Sequence, residues 1–164
     1  FDLVAQLLPD LLDGLVLNAG AAYLDGVYTD YRDGTGFNDD TGIVQFGQDF
    51  SGNRTVRTPK WSGFVGLSQT IATGWGAIEL AADAYCNDGY YYLAQNSDVF
   101  SEDAYRVFNA RISVLLQRWN LRLTLFGNNL DDEVYAIGQV PNDFGRQETL
   151  APPRSFGGRL NWNF

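Results

Sequence analysis

The sequence predicts an all-β protein: antiparallel up-and-down strands, about seven of them, of a transmembrane β-barrel. Three observations carry that expectation. The first is period-two alternation. In the run 105–116, Phe108, Ala110, Ile112, Val114 and Leu116 take one face, and Val107, Asn109, Arg111 and Ser113 take the other. Beyond a very short polar turn, Trp119, Leu121, Leu123 and Leu125 alternate with Asn120, Arg122, Thr124 and Phe126. A period of two is that of a pleated strand, whose successive side chains point to opposite sides. The second is the rhythm of the connections. Those near 9–14, 72–75 and 117–119 are short, and those near 29–58, 94–103 and 136–152 are long. In an up-and-down sheet, this puts the short turns at one end and the long loops at the other, as in membrane barrels. The third is the aromatic distribution. Tyr23, Tyr28, Trp61, Trp75, Tyr90, Tyr91, Tyr92, Trp119, Trp162 and Phe164 gather at strand ends. Trp and Tyr favour the membrane–water boundary, because the ring is apolar and its N–H or O–H is not.

Taken in order, residues 1–8 (FDLVAQLL) read as the first strand, and Pro9 and Asp10 open a turn closing near Gly14. Leu15 to Tyr28 reads as the second strand, with Leu17, Ala19, Ala21 and Tyr23 on one face and Asn18, Gly20 and Ala22 on the other. The Asp-, Gly- and Asn-rich stretch 29–58 reads as a long loop, with Ile43 to Phe46 as an apolar patch suited to an inner hairpin. Lys60 to Ile71 is a third strand, with Trp61, Gly63, Val65 and Leu67 on one face. Gly76 to Tyr92 is a fourth, in which Ile78, Leu80, Ala82 and Ala84 oppose Glu79, Ala81, Asp83, Tyr85 and Asn87. Gln95 to Asp103 reads as loop. The fifth and sixth strands are the pair described above, and Gln139 to Pro153 reads as another long loop. In the last strand, 154–164, Phe156, Gly158, Leu160, Trp162 and Phe164 alternate with Ser155, Gly157, Arg159, Asn161 and Asn163.

The totals exclude several function classes. A net charge of −9, from 11 basic and 20 acidic residues, leaves no basic face for a nucleic acid. With no His, a Ser–His hydrolase has no base and a metal site lacks its commonest ligand, so no enzyme is expected. Cys86 is the single cysteine, which rules out an internal disulfide, and it reads as a small hydrophobe on the apolar side of the fourth strand. No apolar run reaches the ~18 residues of a membrane helix, whereas barrel strands need only about 9–11. The absence of Met, even at position 1, predicts a chain that begins inside a longer polypeptide.

Candidate sites are few. Asp39–Asp40, Glu102–Asp103 and Asp131–Asp132 read as solvated loop charge, since adjacent carboxylates do not converge in a strand. The segment DYRDGTGFNDDTG (30–42) offers Ca²⁺-type oxygens but lacks the closing Glu of an EF-hand, and no cofactor is expected. The polar faces supply candidate lumen-lining residues: Glu79, Asp83, Asn109, Arg111, Arg122 and Arg159. Loop aromatics, above all Phe37, Phe46, Tyr91, Tyr92 and Phe144, are candidate contacts for a small-molecule ligand, with Phe50 and Phe100 nearby in sequence. A soluble β-sandwich or lipocalin-like barrel is the alternative, with the greasy face turned inward. Against it, that face mixes Leu and Ile with Ala and Gly, which packs a core poorly.

The segments VFNARIS (107–113), WNLRLTLFGNNLDDEVY (119–135) and PPRSFGGRLNWNF (152–164) resemble the C-terminal part of TonB-dependent outer-membrane receptors. Asn129, Leu130, Asp131 and Tyr135 stand close to that family's Asn-Leu-x-Asp-x-x-Tyr segment, and Pro153, Arg154, Phe156 and Phe164 to its closing pattern. Upstream, RTPKWSGFVGLS (57–68) is similar to its return from a long loop. The resemblance implies that 1–164 is the last third of a 22-stranded barrel, with the plug and the TonB-contacting segment outside this chain. It implies a place in the cell outer membrane and uptake of a scarce nutrient such as a ferric siderophore, energised through TonB. The implied partners are outer-membrane lipid, the remaining barrel and plug, the TonB complex, the barrel assembly machinery and a small-molecule ligand. Trp162 and Phe164 would then form the assembly signal, although Arg159 stands where the family usually has Gly. The alternative is a small self-standing or engineered barrel with a binding or structural role.

Overall fold

The computed structural model describes residues 1–7, 13–142 and 145–163. Its strands are β1 (Asp2–Leu7), β2 (Leu15–Tyr23), β3 (Gly34–Phe37), β4 (Val44–Gln48), β5 (Trp61–Thr73), β6 (Gly76–Asn87), β7 (Tyr90–Tyr91), β8 (Ser101–Glu102), β9 (Tyr105–Leu116), β10 (Leu121–Asn128), β11 (Ala136–Asn142), β12 (Gly145–Leu150) and β13 (Ser155–Trp162). Seven of them form one antiparallel sheet in the order β1-β2-β5-β6-β9-β10-β13, the up-and-down wall that the alternation predicts. Among the described residues the wall stays open: β1 pairs only with β2, and β13 only with β10. No α-helix occurs among the described residues, and no helix there is long and apolar enough to cross a membrane. With 13, 12 and 12 residues, β5, β6 and β9 exceed the length a tilted strand needs to span a bilayer.

Register fixes the two faces, because residues paired across an antiparallel ladder point the same way. Leu80 pairs with Gln69 and Ile112, and Ile112 pairs with Leu125. Leu125 in turn faces Gly158. Ile112, Leu125, Leu160 and Trp162 thus share one greasy surface that runs back to Leu3 and Leu17 at the far edge. Nothing among the described residues covers it: Leu125 is 65% exposed, Leu160 63% and Trp162 61%. A soluble sandwich would bury these side chains, and each exposed Leu would forgo about 1.5–3 kcal/mol in water. The reading with an inward greasy face is therefore not the architecture found.

The turns explain the tight end of the wall. Thr73 pairs with Gly76, leaving only Gly74 and Trp75 between β5 and β6. At Gly76, φ is +155° and a Cβ would lie 1.8 Å from the Leu115 carbonyl oxygen, so only glycine fits. The β9–β10 turn is a 3₁₀ turn at Gln117–Trp119 closed by Asn120 in the left-handed region, φ 47°. Trp119 thus belongs to the turn rather than to the sixth strand, whose alternation begins at Leu121. The expected turn at Pro9 and Asp10, and Leu8 before it, lie outside the described residues.

Other boundaries differ from the sequence expectations as well. The second strand stops at Tyr23, because Leu24, Asp25 and Gly26 turn away and Val27 bridges Arg54 instead. The fourth stops at Asn87, whose Oδ1 accepts from the Gly89 amide, and Tyr90–Tyr91 pair locally with Ser101–Glu102. The stretch 139–153, read as loop, contains most of a hairpin, β11–β12. The apolar patch at Ile43 to Phe46 lies largely in β4, which pairs with β3 as expected.

The only hydrophobic core among the described residues lies in the long connections. Tyr92, Phe100 and Ala136 are buried there, with Phe37, Tyr90 and Leu93 packed around them. The connections therefore fold into a layer of their own above one end of the wall.

Candidate functional site: the polar face and the loop layer

The register brings all six sequence-chosen wall residues to one face. Glu79 pairs with Ser113, Asp83 with Asn109, and Ala81 with Arg111 across β6–β9. Ser113 faces Thr124 and Leu115 faces Arg122 across β9–β10, and Thr124 faces Arg159 across β10–β13. Within this face, Arg122 forms an ion pair with Glu79, each about a third exposed. The Asn109 amide donates to Asp83 at 2.7 Å, while its carbonyl accepts from the Asn129 backbone N–H at 3.0 Å. The Ser113 and Thr124 hydroxyls are 2.9 Å apart. At the loop end, the Phe64 ring lies on Gly20, where a Cβ would sit 2.4 Å from it, leaving a shallow groove of about 130 Å³ between Val4, Phe64 and Tyr85.

The loop layer is tied by polar contacts as well as by its core. The Tyr92 hydroxyl donates to the Ala136 carbonyl at 2.7 Å and reaches Glu102 Oε2 at 3.1 Å. Glu102 also accepts the Ala136 N–H at 2.9 Å. Burial pushes the Tyr92 phenol well above its ordinary pKa, and Tyr135 shifts the same way for the same reason. The Arg57 guanidinium lies over the Tyr92 ring, 5.6 Å from its centre. Asn96, at φ 55°, holds 54 against 96: its carbonyl accepts from the Arg54 N–H and its amide donates to the Arg54 carbonyl. Asn129, at φ 50° and 4% exposed, exchanges two hydrogen bonds with the Glu133 backbone. Sequence reading passed over Asn96 as a staple. Its signal is an Asn between polar neighbours, the residue type that best tolerates the left-handed region and can bond backbone at the same time.

Charge is divided between these two parts. Residues 24–60, 88–104 and 129–154 hold 15 of the 20 acidic and six of the 11 basic residues, and so the entire net charge of −9. The strands and short turns are balanced. Lys60 in the loop layer sits beside Asp25 at 3.2 Å, which raises its pKa.

No protein-family model matches the sequence. Solved structures do match it in shape. The ferric yersiniabactin uptake receptor FyuA from Yersinia pestis aligns over 99% of this chain and 23% of its own, with TM-score 0.76 and 14% identity. The siderophore receptor PiuA from Acinetobacter baumannii aligns over 92% and 19%, with TM-score 0.66 and 20% identity. BauA, the ferric preacinetobactin receptor of the same organism, aligns over 93% and 20%, with TM-score 0.62 and 18% identity. The chain has the fold of siderophore-receptor barrel wall. It spans about a fifth of the length of each receptor it matches.

On this barrel wall, the aromatic candidates divide. Phe46 is 79% exposed at the β3–β4 hairpin, and Tyr91 lines a polar cleft of about 200 Å³ with Arg54, Asp98 and Asp103. Phe37 and Tyr92 instead serve the loop core, Phe37 packing edge-on against Phe100 at 4.9 Å. Phe144 lies outside the described residues, as does Phe164, while Trp162 sits exposed on the greasy face at the end of β13. Cys86 is exposed, on the greasy face opposite Gly63. Among the described residues, no three carboxylates, His or Cys cluster to hold a metal. Asp39 of the Asp-rich loop instead accepts from Ser97 Oγ at 2.6 Å and Gln95 Nε2 at 3.0 Å.

Proposed function

We propose that the chain is the C-terminal wall of an outer-membrane receptor that imports a scarce nutrient, a ferric siderophore being the best-supported class, with energy coupled through TonB. The observation that carries this reading is the match of nearly the whole chain to siderophore receptors, combined with a greasy face left uncovered. Lipid covers that face and the polar face lines the lumen, with Glu79, Asp83, Asn109, Arg111, Arg122 and Arg159 meeting water, the plug or a passing solute. The loop layer forms part of the vestibule, and Phe46 and Tyr91 are its accessible aromatic contacts. The plug and the TonB-contacting segment belong to the rest of the polypeptide. Trp162 and Phe164 are the aromatic residues offered to the barrel assembly machinery. The work is binding and passage rather than covalent chemistry. The open edges of β1 and β13 support a wall completed by further strands and count against a small self-standing barrel.

The test is uptake by cells carrying the full-length protein. Deletion of the gene should abolish accumulation of at least one iron-loaded siderophore from a panel, and loss of TonB should do the same. Unchanged uptake of every panel member, with the protein present in the outer membrane, removes the reading.

A further inference from the structure

The side chains that oxidants attack are unevenly placed. The sequence holds no Met, and its single Cys, Cys86, stands on the greasy face. Of the four Trp residues, Trp61 and Trp162 share that face, while Trp75 and Trp119 lie in the short turns at the other end. Tyrosines are therefore the readily oxidised side chains where the polar face meets the loop layer. Tyr85 and Tyr105 stand there on β6 and β9, and Tyr135 comes from the connection after β10. Tyr105 and Tyr135 lie face to face, with 4.2 Å between ring centres and 13° between planes. The other tyrosine pairs in ring contact among the described residues are tilted or edge-on: Tyr85–Tyr105 at 53°, Tyr90–Tyr92 at 68° and Tyr28–Tyr31 at 76°. Both rings of the parallel pair are held in place. Tyr105 pairs with Asn87 across the β6–β9 ladder. The Tyr135 carbonyl accepts from the Ala151 N–H at 2.9 Å, and the next residue is Ala136, whose N–H and carbonyl are bonded to Glu102 and Tyr92. Carbons of stacked rings stand roughly 3.5–4.0 Å apart, so the ring carbons beside the two hydroxyls can meet without unfolding the chain.

We infer that Tyr105 and Tyr135 are a site of oxidative coupling, which fastens the 129–154 connection to β9 by a carbon–carbon bond. The co-reactant is a one-electron, hydrogen-abstracting oxidant of the hydroxyl-radical class. Two such radicals each take one hydrogen atom from a phenolic O–H and leave as water. The two phenoxyl radicals join through the ring carbons beside their oxygens. Those carbons then pass their hydrogens to the oxygens, which restores both phenols. In total, two hydrogen atoms are lost and one bond is gained. Burial raises the Tyr135 phenol, so the neutral O–H is the form the oxidant meets and no base is needed. Exposed Tyr85, its ring 6.2 Å from that of Tyr105, offers a first contact: its phenoxyl takes an electron and a proton from Tyr105 and is itself restored. The new bond closes the chain from 105 to 135 into a covalent ring that includes the β9–β10 hairpin. Like a disulfide, it removes open states of the segment it closes. The result is a latch between loop layer and wall that only oxidation sets, whatever solute passes the wall.

The experiment uses the full-length protein in detergent. Ferrous iron and hydrogen peroxide supply the oxidant, and peptides coupled with loss of two hydrogens are mapped by mass spectrometry. The Tyr105–Tyr135 product should exceed the Tyr28–Tyr31 and Tyr90–Tyr92 products at least about tenfold, because the parallel pair starts closest to bonding geometry. Heating in urea before oxidation should abolish that excess. Y135F keeps the ring without the hydroxyl and should lose the product, whereas Y28F should retain it. Amide exchange across 129–154 should slow several-fold when the parent is oxidised and stay unchanged when Y135F is. Equal yields from the three pairs overturn the inference, as does an excess that persists in the denatured chain. Exchange no slower in the coupled parent than in the untreated one overturns the latch. If Y135F fails to assemble, the peptide map of the parent still decides.

Discussion

Substituting Tyr92 by Phe isolates one oxygen at the centre of the loop layer. The residue is 6% exposed, and its ring packs with Phe100 and Ala136. Phe keeps that packing and removes only the hydroxyl, which donates to the Ala136 carbonyl at 2.7 Å. Ala136 is itself 1% exposed, so water cannot replace the lost donor. An orphaned buried carbonyl costs about 1–3 kcal/mol. Glu102 keeps one partner, the Ala136 N–H at 2.9 Å, which limits the loss on the carboxylate side. Tyr92→Ala adds a cavity, and ring deletions of this kind cost about 3–5 kcal/mol. The assay is amide hydrogen exchange on the full-length protein in detergent. The Ala136 amide should exchange about 5- to 150-fold faster in the Phe variant, while the β5 and β6 amides are unchanged. Unchanged exchange at Ala136 would show that the hydroxyl contributes nothing and that the layer is held elsewhere.

Other perturbations separate the two faces and the two ends. Leu125→Arg should cost about 2–4 kcal/mol and deplete the assembled barrel in a heat-modifiability gel, whereas Thr124→Arg, one residue away on the polar face, should assemble; equal outcomes would contradict the assignment of faces. Gly20→Ala drives a Cβ to within 2.4 Å of the Phe64 ring and should destabilise by about 1–3 kcal/mol in urea titrations, with Phe64→Ala in the same chain restoring part of it. The raised pKa of Tyr92 stabilises the loop layer fully below the unfolded phenol value of 10.0 and loses that contribution as pH rises beyond it. Loop exchange rates should therefore climb above about pH 10, and the climb should flatten in Tyr92→Phe. A climb of equal size in both proteins would assign the alkaline transition to other groups.

The wall was legible because one force wrote it. Each long strand carries a mostly apolar side, so Ile112, Leu123 and Leu160 announce their face without knowledge of their neighbours. The same argument put Glu79, Asp83, Asn109, Arg111, Arg122 and Arg159 on a shared surface before any pairing was known. The loop layer obeys no such rule. In β11–β12, Gln139 is 3% exposed while Val140 is 50% exposed, the reverse of what hydropathy suggests, because Gln139 Nε2 donates to the Ser101 carbonyl and to Glu148. Likewise, composition cannot tell Phe46, which stands in solvent, from Phe37, which packs on Phe100. That difference depends on which loop folds over which, and no single segment records it.

These two kinds of legibility reflect two kinds of stability. Among the described residues the wall is one layer thick, with an exposed greasy side and two unpaired edges, so on the proposed reading lipid and neighbouring strands supply what a core supplies elsewhere. The loop layer carries its own small core and most of its own bonds, and its net charge of −9 would oppose entry into lipid. Delipidation should therefore disorder the wall before the loops, and loop substitutions such as Tyr92→Phe should leave strand pairing intact. The charge-balanced wall can be held by other strands without long-range repulsion. The acidic layer is screened beyond about 8 Å at physiological salt, so its field reaches only what lies close against the loops.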